Sequence, residues 1–101
     1  MRPVKAALEA SVRYLAHELG RSAIRVNAIS AGAIRTRAAS SIKHFGELLE
    51  GTTRKALLRR TIEPDEVGRS ALLLASDYAS AITRETVHVD AGFHIEGMVF
   101  H

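Results

Sequence analysis

The chain has 101 residues, 47% of them hydrophobic and 25% charged, with a formal net charge of +3. This is an ordinary globular composition with room for one small domain, so intrinsic disorder is not expected. The absence of cysteine excludes disulfides, thiolate metal sites and cysteine nucleophiles together, and apolar runs such as Ala71–Ala75 fall far short of the roughly 20 residues that span a bilayer.

Residues 3–19 carry the clearest helical pattern. Val4, Ala7, Leu8, Ser11, Val12, Leu15, Ala16 and Leu19 recur at helical spacing, while Lys5, Glu9, Arg13, His17 and Glu18 lie largely off that stripe. Pro3 suits a first turn, where its missing N–H costs nothing, and Gly20 predicts a left-handed cap at the other end. Residues 23–29 alternate as a strand, with Ile24, Val26 and Ala28 on one face, and give way to the turn-prone Ser30-Ala31-Gly32. Residues 33–42 read as an irregular loop or short helical turn. A helix is expected over 43–57 through Phe45, Leu48, Leu49 and Leu57, although Gly46 and Gly51 weaken it. A further helix covers 64–78. Pro64 takes its first position, Asp65 and Glu66 complement the positive dipole end, and Val67, Ala71, Leu74, Ala75 and Tyr78 form the expected buried stripe. Residues 85–90 make a second strand with Val87 and Val89 on one face, and 91–101 read as loop or tail.

Two strands joined by helices predict a parallel pair with a right-handed crossover. Parallel sheets are normally buried on both faces and need neighbours. The expected class is therefore α/β, a piece of a larger sheet, with residues 1–101 as a single partial domain.

The densest charge cluster is Arg54, Lys55, Arg59 and Arg60. It reads as a solvated helix face or a surface for an acidic protein; without interleaved aromatics it does not predict nucleic-acid binding. The first residues show no signal-peptide core, so a cytoplasmic address without membrane association is the expectation. His17, His44, His88, His94 and His101 show no zinc spacing of the His-Glu-x-x-His kind. Asp90 is positioned to pair with His88 or His94, and no metal is expected.

Several segments together resemble the enoyl-(acyl-carrier-protein) reductases of the short-chain dehydrogenase/reductase superfamily. Lys5-Ala6-Ala7-Leu8-Glu9-Ala10-Ser11-Val12-Arg13-Tyr14-Leu15-Ala16 looks like the helix that begins at their active-site lysine. Ile24-Arg25-Val26-Asn27-Ala28-Ile29-Ser30-Ala31-Gly32 is similar to the strand that follows. Ile34-Arg35-Thr36 with Ala38-Ala39-Ser40 and Ile42, then Leu58-Arg59-Arg60-Thr61, Asp65 or Glu66 with Val67-Gly68, and Val87-His88-Val89-Asp90-Ala91-Gly92-Phe93-His94-Ile95, continue the match in order. Any one piece is weak, but together they cover essentially the whole chain.

The resemblance implies the C-terminal portion of a Rossmann-like, doubly wound parallel sheet, and an NADH-dependent reduction of trans-2-enoyl thioesters in fatty-acid biosynthesis. In the family a tyrosine and a lysine with six residues between them do the chemistry. Hydride passes from the nicotinamide to the β-carbon, and the lysine ammonium binds the ribose hydroxyls and stabilises nearby negative charge. Lys5 matches that lysine. The matching tyrosine would precede Met1; Tyr14 and Tyr78 do not fit the spacing and read as packing residues. No Gly-x-Gly-x-x-Gly phosphate cradle occurs, so the 101 residues by themselves are expected to be inactive. The backbone at Ile34 is expected to pair with the carboxamide and Thr36 to reach a phosphate. Ala38, Ala39, Ile42, Phe45 and Leu48 are expected to line the acyl chain. On the residues alone, Lys5 reads as an exposed helix-start lysine, Thr36 as a helix cap, and the apolar set as ordinary core.

The resemblance also implies an acyl carrier protein thioester as substrate partner and a homo-oligomer. Three departures bear on the backbone. Ala33 stands where proline is usual, and Arg84 and Ala91 stand where glycine is usual; if either backbone requires positive φ, the substitution costs about 1 kcal/mol or more. Lys43 and His44 keep part of the family's basic docking patch, which Gly46 and Glu47 dilute. A 3-oxoacyl reductase and a non-catalytic, self-associating remnant are the alternative readings.

Overall fold

The structure, a computed structural model, describes residues 2–32, 34 and 45–94. Helix α1 runs over Arg2–Gly20, strand β1 over Ala28–Ala31, helix α2 over Phe45–Lys55 and helix α3 over Pro64–Ala75. A 3-10 turn follows at Asp77–Ala79, and strand β2 covers Thr86–Val89. The order of helices and strands is the one the sequence predicts.

β1 and β2 form a two-stranded sheet. The Ala28 amide donates to the Glu85 carbonyl and the Gly32 amide to the Val89 carbonyl, both at 2.9 Å. Partner numbers rise together, so the pairing is parallel, as expected for an α/β chain. β1 is shorter and starts later than the 23–29 alternation predicts, because polar side chains replace ladder bonds ahead of it. Thr83 Oγ1 accepts the Val26 amide at 3.0 Å, Asn27 Nδ2 donates to the Ile82 carbonyl at 3.0 Å, and Asn27 Oδ1 accepts the Glu85 amide at 3.1 Å.

The end of α1 differs from expectation. Gly20 continues the helix, and the left-handed residue is Ala23, at φ 61°. The Leu19 carbonyl accepts from both Ser22 and Ile24, so the chain makes one further turn before it reverses. α2 stops at Lys55 and leaves Leu57 beyond it, exposed; residues 43 and 44 lie outside the described set.

α3 begins at Pro64 as predicted. Glu66 closes its first turn as a capping box, with Oε1 accepting the Glu63 amide at 2.9 Å. The same carboxylate takes two 2.8 Å hydrogen bonds from the Arg60 guanidinium. α3 ends three residues earlier than predicted. The Ser76 hydroxyl donates to the Leu73 carbonyl and accepts the Tyr78 amide, which starts the 3-10 turn. Arg25 caps the last carbonyls of α3, donating to Leu74 at 2.6 Å and to Ser76 at 3.3 Å.

The described residues fall into two compact units, Met1–Ile29 with Ala71–Val87 and Ser30–Ser70 with His88–His101. In the first, Val12, Ala16 and Ala79 are buried, but Val4 is 67%, Leu72 71% and Tyr78 91% exposed. The stripe expected to be buried on α3 contains no buried residue. Helix faces of this width need a broad sheet or another helix against them, and two four-residue strands are too small to supply it. In the second unit, Ala56 and Ile62 are buried, and Ile34 forms an isolated parallel bridge with Ile62. Gly32 permits a close approach there: a Cβ on it would fall 2.8 Å from Asp90 Cβ.

Both suspected glycine positions do hold left-handed backbone, Arg84 at φ 69° and Ala91 at φ 58°. Arg84→Gly and Ala91→Gly are each expected to raise stability by about 1 kcal/mol, read as a higher denaturant midpoint; an unchanged or lowered midpoint for both contradicts the strain. A second expectation concerns acid. The Arg60 hydrogen bonds, together with the Glu63 amide, lower the Glu66 carboxyl from 4.5 to about 2. A depressed carboxyl stabilises the fold above its ordinary pKa and loses that contribution as pH falls. Helical signal followed from pH 5 down to 2 should therefore decline less steeply in Glu66→Gln than in the parent chain.

Candidate functional site

Lys5 stands in the first turns of α1, exposed, and pairs with no other described residue. Its ammonium is thus open to hydroxyl or anionic groups of a ligand. Ile34 is half-buried, and its bridge to Ile62 holds the backbone extended two residues beyond Gly32. That is past the carboxyl end of β1, the end at which open α/β sheets bind ligands. Phe45 opens α2 and Leu48 falls on its first turn. Thr36, Ala38, Ala39 and Ile42 lie outside the described residues, as does Ala33. Lys5 belongs to the first unit; Ile34, Phe45 and Leu48 belong to the second.

In the first unit an exposed lysine can meet hydroxyl groups such as those of a ribose; in the second, an extended backbone segment past a strand end offers the donor and acceptor that a carboxamide pairs with. These residues hold no cradle for a pyrophosphate: the only positive-φ glycine among the described residues is Gly92, and its amide is already bonded to Asp90 Oδ1 at 2.9 Å.

Of the two partners the sequence offers Asp90, His94 is the one it bonds. Asp90, buried at the end of β2, accepts the amides of Gly92 and His94 and the His94 ring nitrogen, the last at 2.9 Å. Burial by itself would raise its carboxyl. The backbone bonds from His94 and Gly92, with the ring bond and charge of His94, outweigh that and hold it below the ordinary range. His88 stacks on His94, ring centroids 3.8 Å apart and 10° from parallel. The signal for this cluster was Asp90-Ala91-Gly92, an aspartate two residues before a glycine, which predicts a side chain that folds back on its own turn. Among the described residues no helix is long and apolar enough to cross a membrane.

The family model described as Enoyl-(Acyl carrier protein) reductase matches residues 1–94. The chain is 57% identical over 94 residues to the enoyl-(acyl-carrier-protein) reductase (NADH) FabI of Haemophilus influenzae, covering 93% of this chain and 36% of the relative. It is 56% identical to enoyl-(acyl-carrier-protein) reductase (NADH) 1 of Rhizobium meliloti, covering 97% and 36%. Among solved structures, the Anaplasma phagocytophilum reductase in complex with NAD superposes with a TM-score of 0.84 at 52% identity, over 96% of this chain and 37% of that one. The Bacillus cereus enoyl-acyl carrier protein reductase with NADP+ and indole naphthyridinone gives 0.83 at 53% identity, over 90% and 35%. The chain thus spans little more than a third of the length of the relatives it matches, and its two parallel strands and helices are part of their Rossmann-like α/β fold. By the family model's match over residues 1–94, the chain belongs to the enoyl-(acyl carrier protein) reductase family.

Proposed function

We propose that residues 1–101 serve as one part of a reductase domain that reduces trans-2-enoyl thioesters of acyl carrier protein with NADH, in fatty-acid biosynthesis in the cytoplasm. The observation that carries this reading is the identity of more than half the residues, over 93–97% of the chain, to curated NADH-dependent reductases. The nicotinamide would supply the hydride. Lys5 is assigned to its ribose hydroxyls and to negative charge developing at the substrate, the Ile34 backbone to the carboxamide, and Thr36 to a phosphate. Ala38, Ala39, Ile42, Phe45 and Leu48 are assigned to the acyl chain, whose methylenes favour small and apolar neighbours. An exposed, unpaired Lys5 supports its assignment, since a ribose ligand needs an ammonium not already committed to a carboxylate.

A chimaera tests the reading. This chain replaces the matching third of the Haemophilus influenzae relative, and NADH oxidation is followed with a crotonyl thioester. The chimaera should turn over and Lys5→Ala should lose about 100-fold or more in kcat/KM, whereas the 101 residues alone should show no turnover. A folded chimaera without activity, or one indifferent to Lys5→Ala, removes the assignment.

Self-association is proposed for the 101-residue chain on a separate observation. Leu8 on α1 and Leu72 and Leu73 on α3 are all more than half exposed, and burying each such side chain is worth about 1.5–3 kcal/mol. Light scattering should report a species larger than 11.0 kDa, shifted toward monomer by Leu8→Glu with Leu72→Glu; a strictly monomeric parent chain contradicts it.

A further inference from the structure

His88, Asp90 and His94 belong to none of the roles assigned above. Their candidate ligand atoms all lie within 4.8 Å of one another, and they are the one such group among the described residues. The turn that Asp90 closes after β2 accounts for its bonds to the Gly92 and His94 amides. It does not account for either imidazole, nor for an exposed His88 lying flat on His94.

We propose that these three side chains bind a divalent late-transition-metal ion of the zinc class, which takes the place of the proton between His94 and Asp90. Nitrogen and carboxylate oxygen ligands lie roughly 2.0–2.2 Å from zinc, so two of them on one tetrahedral ion are about 3.3–3.5 Å apart. The 2.9 Å between His94 Nδ1 and Asp90 Oδ2 is therefore close to a ligand pair already. An ion there requires a small opening of that bond and a swing of the His88 ring out of its stack. His88 is exposed, so its ring can turn without breaking a core. Imidazole and carboxylate together suit zinc, nickel or copper better than magnesium or calcium, which prefer an all-oxygen set. Asp90 is itself held by two backbone amides, which aims the carboxylate before any ion arrives. The remaining coordination positions fall to water, because no fourth described side chain joins the group.

The inference is independent of the nicotinamide reading and is tested on the 101-residue chain without cofactor. Zinc(II) is titrated calorimetrically at neutral pH, with circular dichroism confirming that each variant keeps its helical signal. One saturable site is expected; His88→Ala should weaken it at least tenfold, while His17→Ala, on the surface of α1, leaves it unchanged. Cobalt(II) should give a visible ligand-field band that His88→Ala removes, a signature that mere surface adsorption does not produce. The absence of a saturable site overturns the proposal, as does binding that survives His88→Ala or that depends on His17 instead.

Discussion

The parallel ladder between β1 and β2 is short, and the placement of Gly32 against Asp90 depends on its register. The Gly32 amide reaches the Val89 carbonyl at 2.9 Å, which brings the end of β1 alongside the end of β2. At that point a side chain on residue 32 would overlap Asp90 Cβ. Glycine therefore lets the two strand ends close, and Asp90 turns the chain after β2 back through its own amides. A one-residue slip would place Ala31 or Ala33 against Asp90 and reverse which side chains face the core. Asn27 guards against that slip from the other end, because its amide bonds the Ile82 carbonyl and the Glu85 amide simultaneously.

Much of this was legible in the sequence, for reasons that are local. Periodicity placed α1, Pro64 fixed the first residue of α3, and the alternation of two segments linked by helices implied the parallel pairing. The family's usual glycines at positions 84 and 91 marked two backbone conformations that the structure holds in the left-handed region. What escaped the sequence is non-local. The start of β1 depends on Thr83 and Asn27 finding groups 55 or more residues away in the chain, and no window along the sequence contains both partners. The Arg60–Glu66 pair was missed because the two residues flank Pro64, outside the spacing that marks ion pairs within a helix. Of the candidate site, Lys5 and Ile34 could be placed. Their roles rest on resemblance, since neither an exposed lysine nor an extended isoleucine carries chemistry in its own pattern.

The distribution of burial gives the same lesson as the sheet. Apolar residues at helical spacing mark a face that must be covered, but spacing does not say by what. Val12 and Ala16 are covered, whereas Val4 and Leu8, on the same stripe of α1, are not. On α3 the exposed Leu72 and Leu73 lie beside the stripe rather than on it, which widens the apolar surface left open. Relatives nearly three times as long have more chain with which to meet such faces, whereas in this chain the stripe predicted to be buried on α3 holds no buried residue.

Among the described residues, four non-glycine positions in the left-handed region, Ala23, Arg59, Arg84 and Ala91, add their strain to these open faces. At roughly 1–2 kcal/mol each, their sum is comparable to much of the stability of a small domain. Such a fold persists only where specific bonds oppose the strain. Arg84 sits where its amide reaches the Val26 carbonyl at 2.8 Å, and Ala91 where its carbonyl accepts the Leu58 amide at 2.9 Å. Arg84 and Ala91 thus stand at junctions between segments distant in sequence, whereas Ala23 and Arg59 hold local turns, their amides bonded to the Gly20 and Ala56 carbonyls. The left-handed turn is what brings the bonding group into line, and at Arg84 and Ala91 glycine would adopt the same turn at less cost without giving up the backbone bond.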